Sequence, residues 1–136
     1  MYKNMLVAIA LDDEHQGEAA VALGKALQDP DGSITLLYVM EHVPTFVAVQ
    51  ISESIIDANR NTVIAELQKI AETVGVEALI NVEYGHSGRT IVDYARDHDI
   101  NCIVIASHRP GLADYFLGST ASHVVRHASC SVHVMR

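Results

Sequence analysis

Seven apolar residues in unbroken succession, Met5-Leu-Val-Ala-Ile-Ala-Leu11, stop at Asp12-Asp13. A strand with one wet face alternates apolar and polar residues. A strand that is apolar at every position is covered on both faces. The next segment changes period: from about His15 to Gln28 the apolar residues Ala19, Ala20, Leu23 and Leu27 recur at helical spacing, and Pro30 forbids continuation. Ser33–Met40 is a second buried strand, and Glu41–Gln50, with Pro44 and no period, reads as a loop. A longer helix carries Ile56, Val63, Leu67, Ile70 and Val74 on one stripe, with Gly75 as its C-terminal cap. Val76–Glu83 is a third, less apolar strand that suits an edge. Ser87 to about His98 is a helix, Asn101–Ala106 a fourth strand, Gly118 to about Ala128 a helix, and Ser131–Met135 a fifth strand.

Strands that alternate with helices imply right-handed crossovers and a parallel sheet covered by helices on both faces. With 136 residues and no linker or repeat, one domain over residues 1–136 is expected. The core should be aliphatic, since 49% of the residues are hydrophobic but only 5% aromatic, with no Trp. A net charge of −8 with scattered Lys and Arg argues against nucleic acid and anionic membranes. No apolar run approaches the roughly 20 residues of a membrane span, and no signal peptide opens the chain. Cys102 and Cys130 match no zinc spacing and read as reduced thiols of a cytoplasmic protein.

In such sheets a ligand binds beyond the carboxyl ends of the strands, where the strand order reverses. The longest loops there are Glu41–Gln50 and Ser107–Leu117. The second ends in Gly118-Ser119-Thr120, a helix start that offers free backbone N–H groups and two hydroxyls to an anion. His108 and Arg109 enter from the other end of the loop, and an Arg can clamp phosphate in bidentate fashion. The plain alternative is that Ser119 caps the helix and Arg109 is a solvated charge.

Three other constellations are weaker. Gly85-His-Ser-Gly88-Arg-Thr90 imitates a phosphate loop, but two residues separate its glycines where a P-loop has four, and Arg89 stands in place of Lys. Ser87 there reads as a helix cap. His123 and His127 have the spacing of a metal pair without a third ligand, which favours a partly exposed helix face. Ser119, His123 and Asp114 make a hydrolase triad only on paper, because no G-x-S-x-G elbow is present. The chain's 8 His residues point to pH sensitivity near 6.5.

From MLVAIALDDE through LLYVMEHVP and IVDYARDHDINCIVIAS to FLGSTASHVVRHASCSVHVMR, the chain resembles the universal stress protein family. The resemblance implies an open five-stranded parallel sheet of order 3-2-1-4-5, Rossmann-like and of the adenine-nucleotide alpha-hydrolase-like kind. Many nucleotide-binding members carry two spaced glycines and then Gly with Ser or Thr between the fourth strand and the last helix. Here Gly118-Ser119 is present, whereas Ala106 and Arg109 stand at the first two glycine positions in a loop one residue shorter. The run ASHRP followed by LGS and VVRHA looks like a bacterial branch in which this variant loop accompanies bound ATP.

By the family pattern, the backbone of Val39 recognises adenine and the ribose lies over Ala8, Ile9 and Ala10. The phosphates then lie over Ala106, Ser107, His108 and Arg109 and over Gly118, Ser119 and Thr120, with Mg²⁺ or Mn²⁺. Ala10 stands where the family often has Asp, and Asp12 or Asp13 is the substitute to test. Pairing of strand 131–136 with its counterpart implies a homodimer that removes an exposed edge.

The resulting expectation is an ATP-binding stress-response sensor that influences a regulatory protein partner, with at most slow ATP hydrolysis. The alternatives are a nucleotide-free interaction module of the same fold and a phosphotransfer or hydrolytic enzyme using His108 or His123.

Overall fold

The computed structural model describes residues 1–11, 14–41, 53–107 and 117–136. Five strands, β1 (Tyr2–Ala8), β2 (Gln28–Met40), β3 (Leu79–Tyr84), β4 (Cys102–Ala106) and β5 (Ser131–Met135), form one sheet of order β3-β2-β1-β4-β5. Every neighbouring pair is parallel. The described helices are α1 (Glu14–Leu27), α2 (Glu53–Val74), α3 (Ser87–Asp97) and α4 (Ser119–His127).

The apolar run behaves as its composition requires. Met5, Leu6 and Val7 have no accessible surface, and successive side chains enter opposite layers. Met5 and Val7 pack with Leu36, Val104 and the α1 and α2 residues Ala20, Val21, Leu67 and Ile70. Leu6 packs on the other face with Leu37, Ile103, Ile105 and the α3 and α4 residues Ile91, Ala95, Ala121 and Val124. Gly24 brings α1 close to the sheet: a Cβ there would lie 2.9 Å from Val7 Cγ2.

Several boundaries differ from the sequence reading. β1 ends at Ala8 instead of Leu11, although the Ile9 amide still donates to the Leu37 carbonyl at 2.9 Å. Ile9 stays buried and Ala10 is exposed, so the apolar run outlasts the strand because its end lines a cleft. β2 begins at Gln28 and includes Pro30, which falls within an irregularity where the pairing jumps from Tyr2↔Gln28 to Asn4↔Ser33. Gly32 packs there on backbone, and a Cβ would lie 2.8 Å from the Lys3 carbonyl.

β3 starts at Leu79 instead of Val76, because the Val76 amide closes α2 on the Ala71 carbonyl. Gly75, with φ +81°, is the expected C-terminal cap. β3 lies at an edge as predicted, with Leu79 66% exposed. The loop 42–50, Asp12, Asp13, His108, Arg109 and Asp114 lie outside the described residues.

Candidate functional site

The strand order reverses between β1 and β4, which pair through Met5↔Cys102, Leu6↔Ile103 and Val7↔Val104. From β1 the chain runs to β2 on one side, and β4 lies on the other. The two sets of crossovers therefore part above the carboxyl ends of these strands and leave a crevice. The described residues line a cleft of about 790 Å³ there, within the range of small-ligand pockets.

Ala8, Ile9 and Ala10 form its floor at the end of β1. Val39 lines it from β2, and Ala106 and Ser107 line it from β4. Gly118, Ser119 and Thr120 close it from α4. The structure thus brings nine of the predicted residues together, while His108 and Arg109 are outside the described residues.

Backbone hydrogen bonds fix the rim. The buried Ser107 donates its amide to the Met135 carbonyl at 2.7 Å, and its own carbonyl accepts from the Gly118 amide. The end of β5, the end of β4 and the start of α4 are thereby tied at one residue. Gly118, in an extended conformation, is the N-cap of α4 and supplies no side-chain cap. The first intrahelical bond runs from the Ser122 amide to the Gly118 carbonyl, so the Ser119, Thr120 and Ala121 amides precede the ladder. Ser119 is accordingly the first helical residue and not the cap. Its position leaves the positive end of the helix facing the cleft.

Sequence reasoning missed Leu11, Gln16, Leu37, Tyr38, Glu41, Ser87, Ile91, Ile105 and Ala121. Ser87 was legible by the rule that found Ser119, since each opens the helix that follows a strand, Ser87 soon after β3 and Ser119 beyond the long loop after β4. Glu41 is the one charged side chain among the described lining residues, which apart from the amide of Gln16 are otherwise small, apolar or hydroxylated.

The Gly85–Thr90 segment has a structural explanation. Gly85 adopts φ +144°, a region favouring glycine. The cap of α3 is His86, not Ser87: its Nδ1 accepts from the Arg89 amide at 3.3 Å. Gly88 admits His123 of α4, since a Cβ at 88 would lie 2.8 Å from His123 Cβ and Cγ.

His123 and His127 do lie side by side, with ring centroids 4.4 Å apart and the rings tilted by 44°, but no group of three ligands suited to a metal occurs among the described residues. Burial pushes the Cys102 thiol pKa up; nearby Cys130 adds to the rise and a backbone hydrogen bond at His133 opposes it. Both cysteines are free, and Cys130 is likewise raised by burial. No described helix is long and apolar enough to cross a membrane.

The sequence profile of the universal stress protein family matches residues 1–136. The chain belongs to the universal stress protein family. Universal stress protein G of Salmonella typhimurium is 28% identical across the full length of both chains. Universal stress protein UspA from Lactobacillus plantarum superposes with a TM-score of 0.73 at 28% identity, covering 99% of this chain and 98% of that one. A universal stress protein from Archaeoglobus fulgidus, solved in complex with dAMP, has the same fold, with a TM-score of 0.65 at 19% identity and coverage of 99% and 98%. The family's strand order, first implied by resemblance, is the order observed in this sheet.

Proposed function

We propose that the cleft binds an adenine nucleotide, ATP with Mg²⁺ or Mn²⁺, and that the protein is a homodimeric sensor in the stress response. The observation that carries this reading is the start of α4, whose N-cap Gly118 supplies no side-chain cap and which faces a switch-point cleft also lined by Val39 and the end of β1. Adenine takes the Val39 end, where backbone groups of β2 reach the rim. The ribose crosses Ala8, Ile9 and Ala10, whose small or aliphatic side chains leave the floor open. The phosphates meet the Ser119, Thr120 and Ala121 amides and two hydroxyls, with Arg109 supplying a cationic partner and His108 a hydrogen-bond donor from the preceding loop. The divalent ion supplies charge neutralisation on the phosphates when bound. The dAMP complex of the Archaeoglobus fulgidus relative supports the ligand class. With Glu41 the sole charged group among the described lining residues, favourable electrostatics at the phosphate end come from neutral dipoles and this loop.

Homodimerisation through β5 rests on its place at the sheet edge, where a parallel sheet otherwise leaves backbone groups unpaired. A second reading, a nucleotide-free interaction module, is favoured by Ala10, Ala106 and Arg109, the three departures from the nucleotide-binding pattern.

Denaturing freshly purified protein and identifying any released nucleotide, followed by ATP calorimetry with Mg²⁺, separates the two. Adenylate release or measurable heat, weakened in Arg109→Ala and Ser119→Ala, supports the sensor. Neither release nor heat supports the interaction module. Asp12→Ala and Asp13→Ala test whether either carboxylate takes the role vacated at Ala10; unchanged affinity in both excludes it.

A further inference from the structure

Two imidazoles meet across the seam between α3 and α4, and a third, the exposed His127, follows one turn along α4. His86, the cap of α3, meets His123 edge-on with ring centroids 5.7 Å apart, and His123 meets His127 at 4.4 Å. The seam has no slack at its centre, because His123 is set against the bare backbone of Gly88. Among the described residues, the groups that face His123 are His86, Arg89 and Asp93 from α3 and its cap, and His127 from its own helix. Arg89 is cationic at every relevant pH. Asp93 is the one acid in this set and also stands 3.4 Å from Arg96. A proton added to His123 is therefore placed beside a fixed cation and between two further titratable rings.

The seam reaches the cleft within one helical turn. Ser87, the first residue of α3, and Ser119, Thr120 and Ala121, the first turn of α4, all line the cleft. His123 lies one turn beyond Thr120 on the same helix. Any parting of α4 from α3 at His123 thus shifts the helix end proposed to hold the phosphates.

We propose that the His86–His123–His127 seam is a proton-sensitive joint: neutral imidazoles let α3 and α4 close, and protonation of His123 in mildly acidic solution parts them and weakens adenine-nucleotide binding. The joint itself stands on the helix packing alone, and its effect on binding rests on the function proposed above. Partial burial, then His127, His86 and Arg89, hold the His123 pKa below its ordinary value, with Asp93 opposing. The unfolded chain takes up this proton at the ordinary pKa near 6.5 while the folded chain resists it. This contribution to stability is thus complete above about pH 6.5 and is lost as the pH falls.

The test compares wild type with His123→Gln, which keeps a polar side chain but does not titrate. Urea unfolding of the free protein at about pH 7.5 and about pH 5.5 reads the joint, with NMR titration of the imidazoles alongside. Calorimetry with ATP and Mg²⁺ at the same two pH values reads the coupling, and protonation of the ligand itself cancels between the two proteins. The wild type should lose more unfolding free energy on acidification than His123→Gln, and roughly threefold more ATP affinity. Equal pH dependence of unfolding in both proteins overturns the joint. A difference in unfolding with equal loss of ATP affinity overturns the coupling. Absence of ATP binding to either protein at either pH overturns the nucleotide reading and the coupling with it, while the unfolding comparison still decides the joint. If His123→Gln fails to fold, Arg89→Gln serves instead: removing the fixed cation should raise the His123 pKa in the NMR titration, and an unmoved pKa contradicts the proposal.

Discussion

The two helical layers of this sheet are built differently. On one face, α1 and α2 run for 14 and 22 residues, and they bury Ala20, Val21, Leu67, Ile70 and Ala71 against Met5, Val7 and Leu36. On the other, α3 and α4 have 11 and 9 residues and bury three and two positions, two of the five being Gly88 and Ala121. Their mutual contact is made in part by a glycine and a histidine. Burial of aliphatic surface scales with area, so the first layer carries the larger share of the hydrophobic stabilisation. The second layer brings two helix starts to the cleft. One layer holds the sheet, and the other presents the site.

The largest expected effect tests the holding layer. Leu67 has no accessible surface, and Leu67→Ala should cost about 2–5 kcal/mol in urea unfolding. A loss well under that range would break the contrast between the layers.

Gly88→Ala tests the presenting layer. Overpacking against His123 should cost about 1–3 kcal/mol, less any gain in helix propensity. Addition of His123→Ala should recover only part of that loss, because it removes Cγ and Cδ2 but leaves the Cβ of position 123 within 2.8 Å of the new methyl. Additive effects in the double-mutant cycle would show that the seam is not the source of the cost.

The pH dependence should likewise localise to the seam. His123 contributes stability above about pH 6.5 that is lost on acidification, so an unfolding midpoint that falls no further toward acid pH in the wild type than in His123→Gln contradicts the assigned direction. The smallest effect belongs to the surface. Arg96 pairs with Asp93 at 3.4 Å and with Asp97 at 3.1 Å while largely exposed, and Arg96→Ala should cost under about 1 kcal/mol.

What was legible in the sequence follows the same division. The holding layer depends on aliphatic periodicity, which is a local signal, and its strands and helices were read correctly except at their ends. Those ends were misread where a local signal continued past the element: the apolar run persists through Leu11 because the cleft floor is apolar too. Pro30 was read correctly as a barrier to the helix, but not as part of a strand irregularity, which only pairing with β1 reveals.

Of the nine predicted cleft residues, Gly118, Ser119 and Thr120 were legible as a helix start, whereas Ala8, Ile9, Ala10 and Val39 were named through the family resemblance. Gln16, Tyr38 and Glu41 were not legible, since nothing local separates a rim residue from an ordinary surface one. The role of Gly88 depends on His123, 35 positions away, and could emerge only once α3 and α4 were packed. His86 was overlooked as a cap because Ser87 beside it is the more usual capping residue.

The most direct test of the nucleotide-binding claim is an amide NMR titration of the ¹⁵N-labelled protein with ATP and Mg²⁺. Binding in the cleft predicts saturable shifts at Val39, Ile9, Ser107 and the Ser119–Ala121 amides, with the buried face of α2 around Leu67 unmoved. A spectrum that does not change, or shifts confined to residues away from the carboxyl ends of β1, β2 and β4, would contradict it.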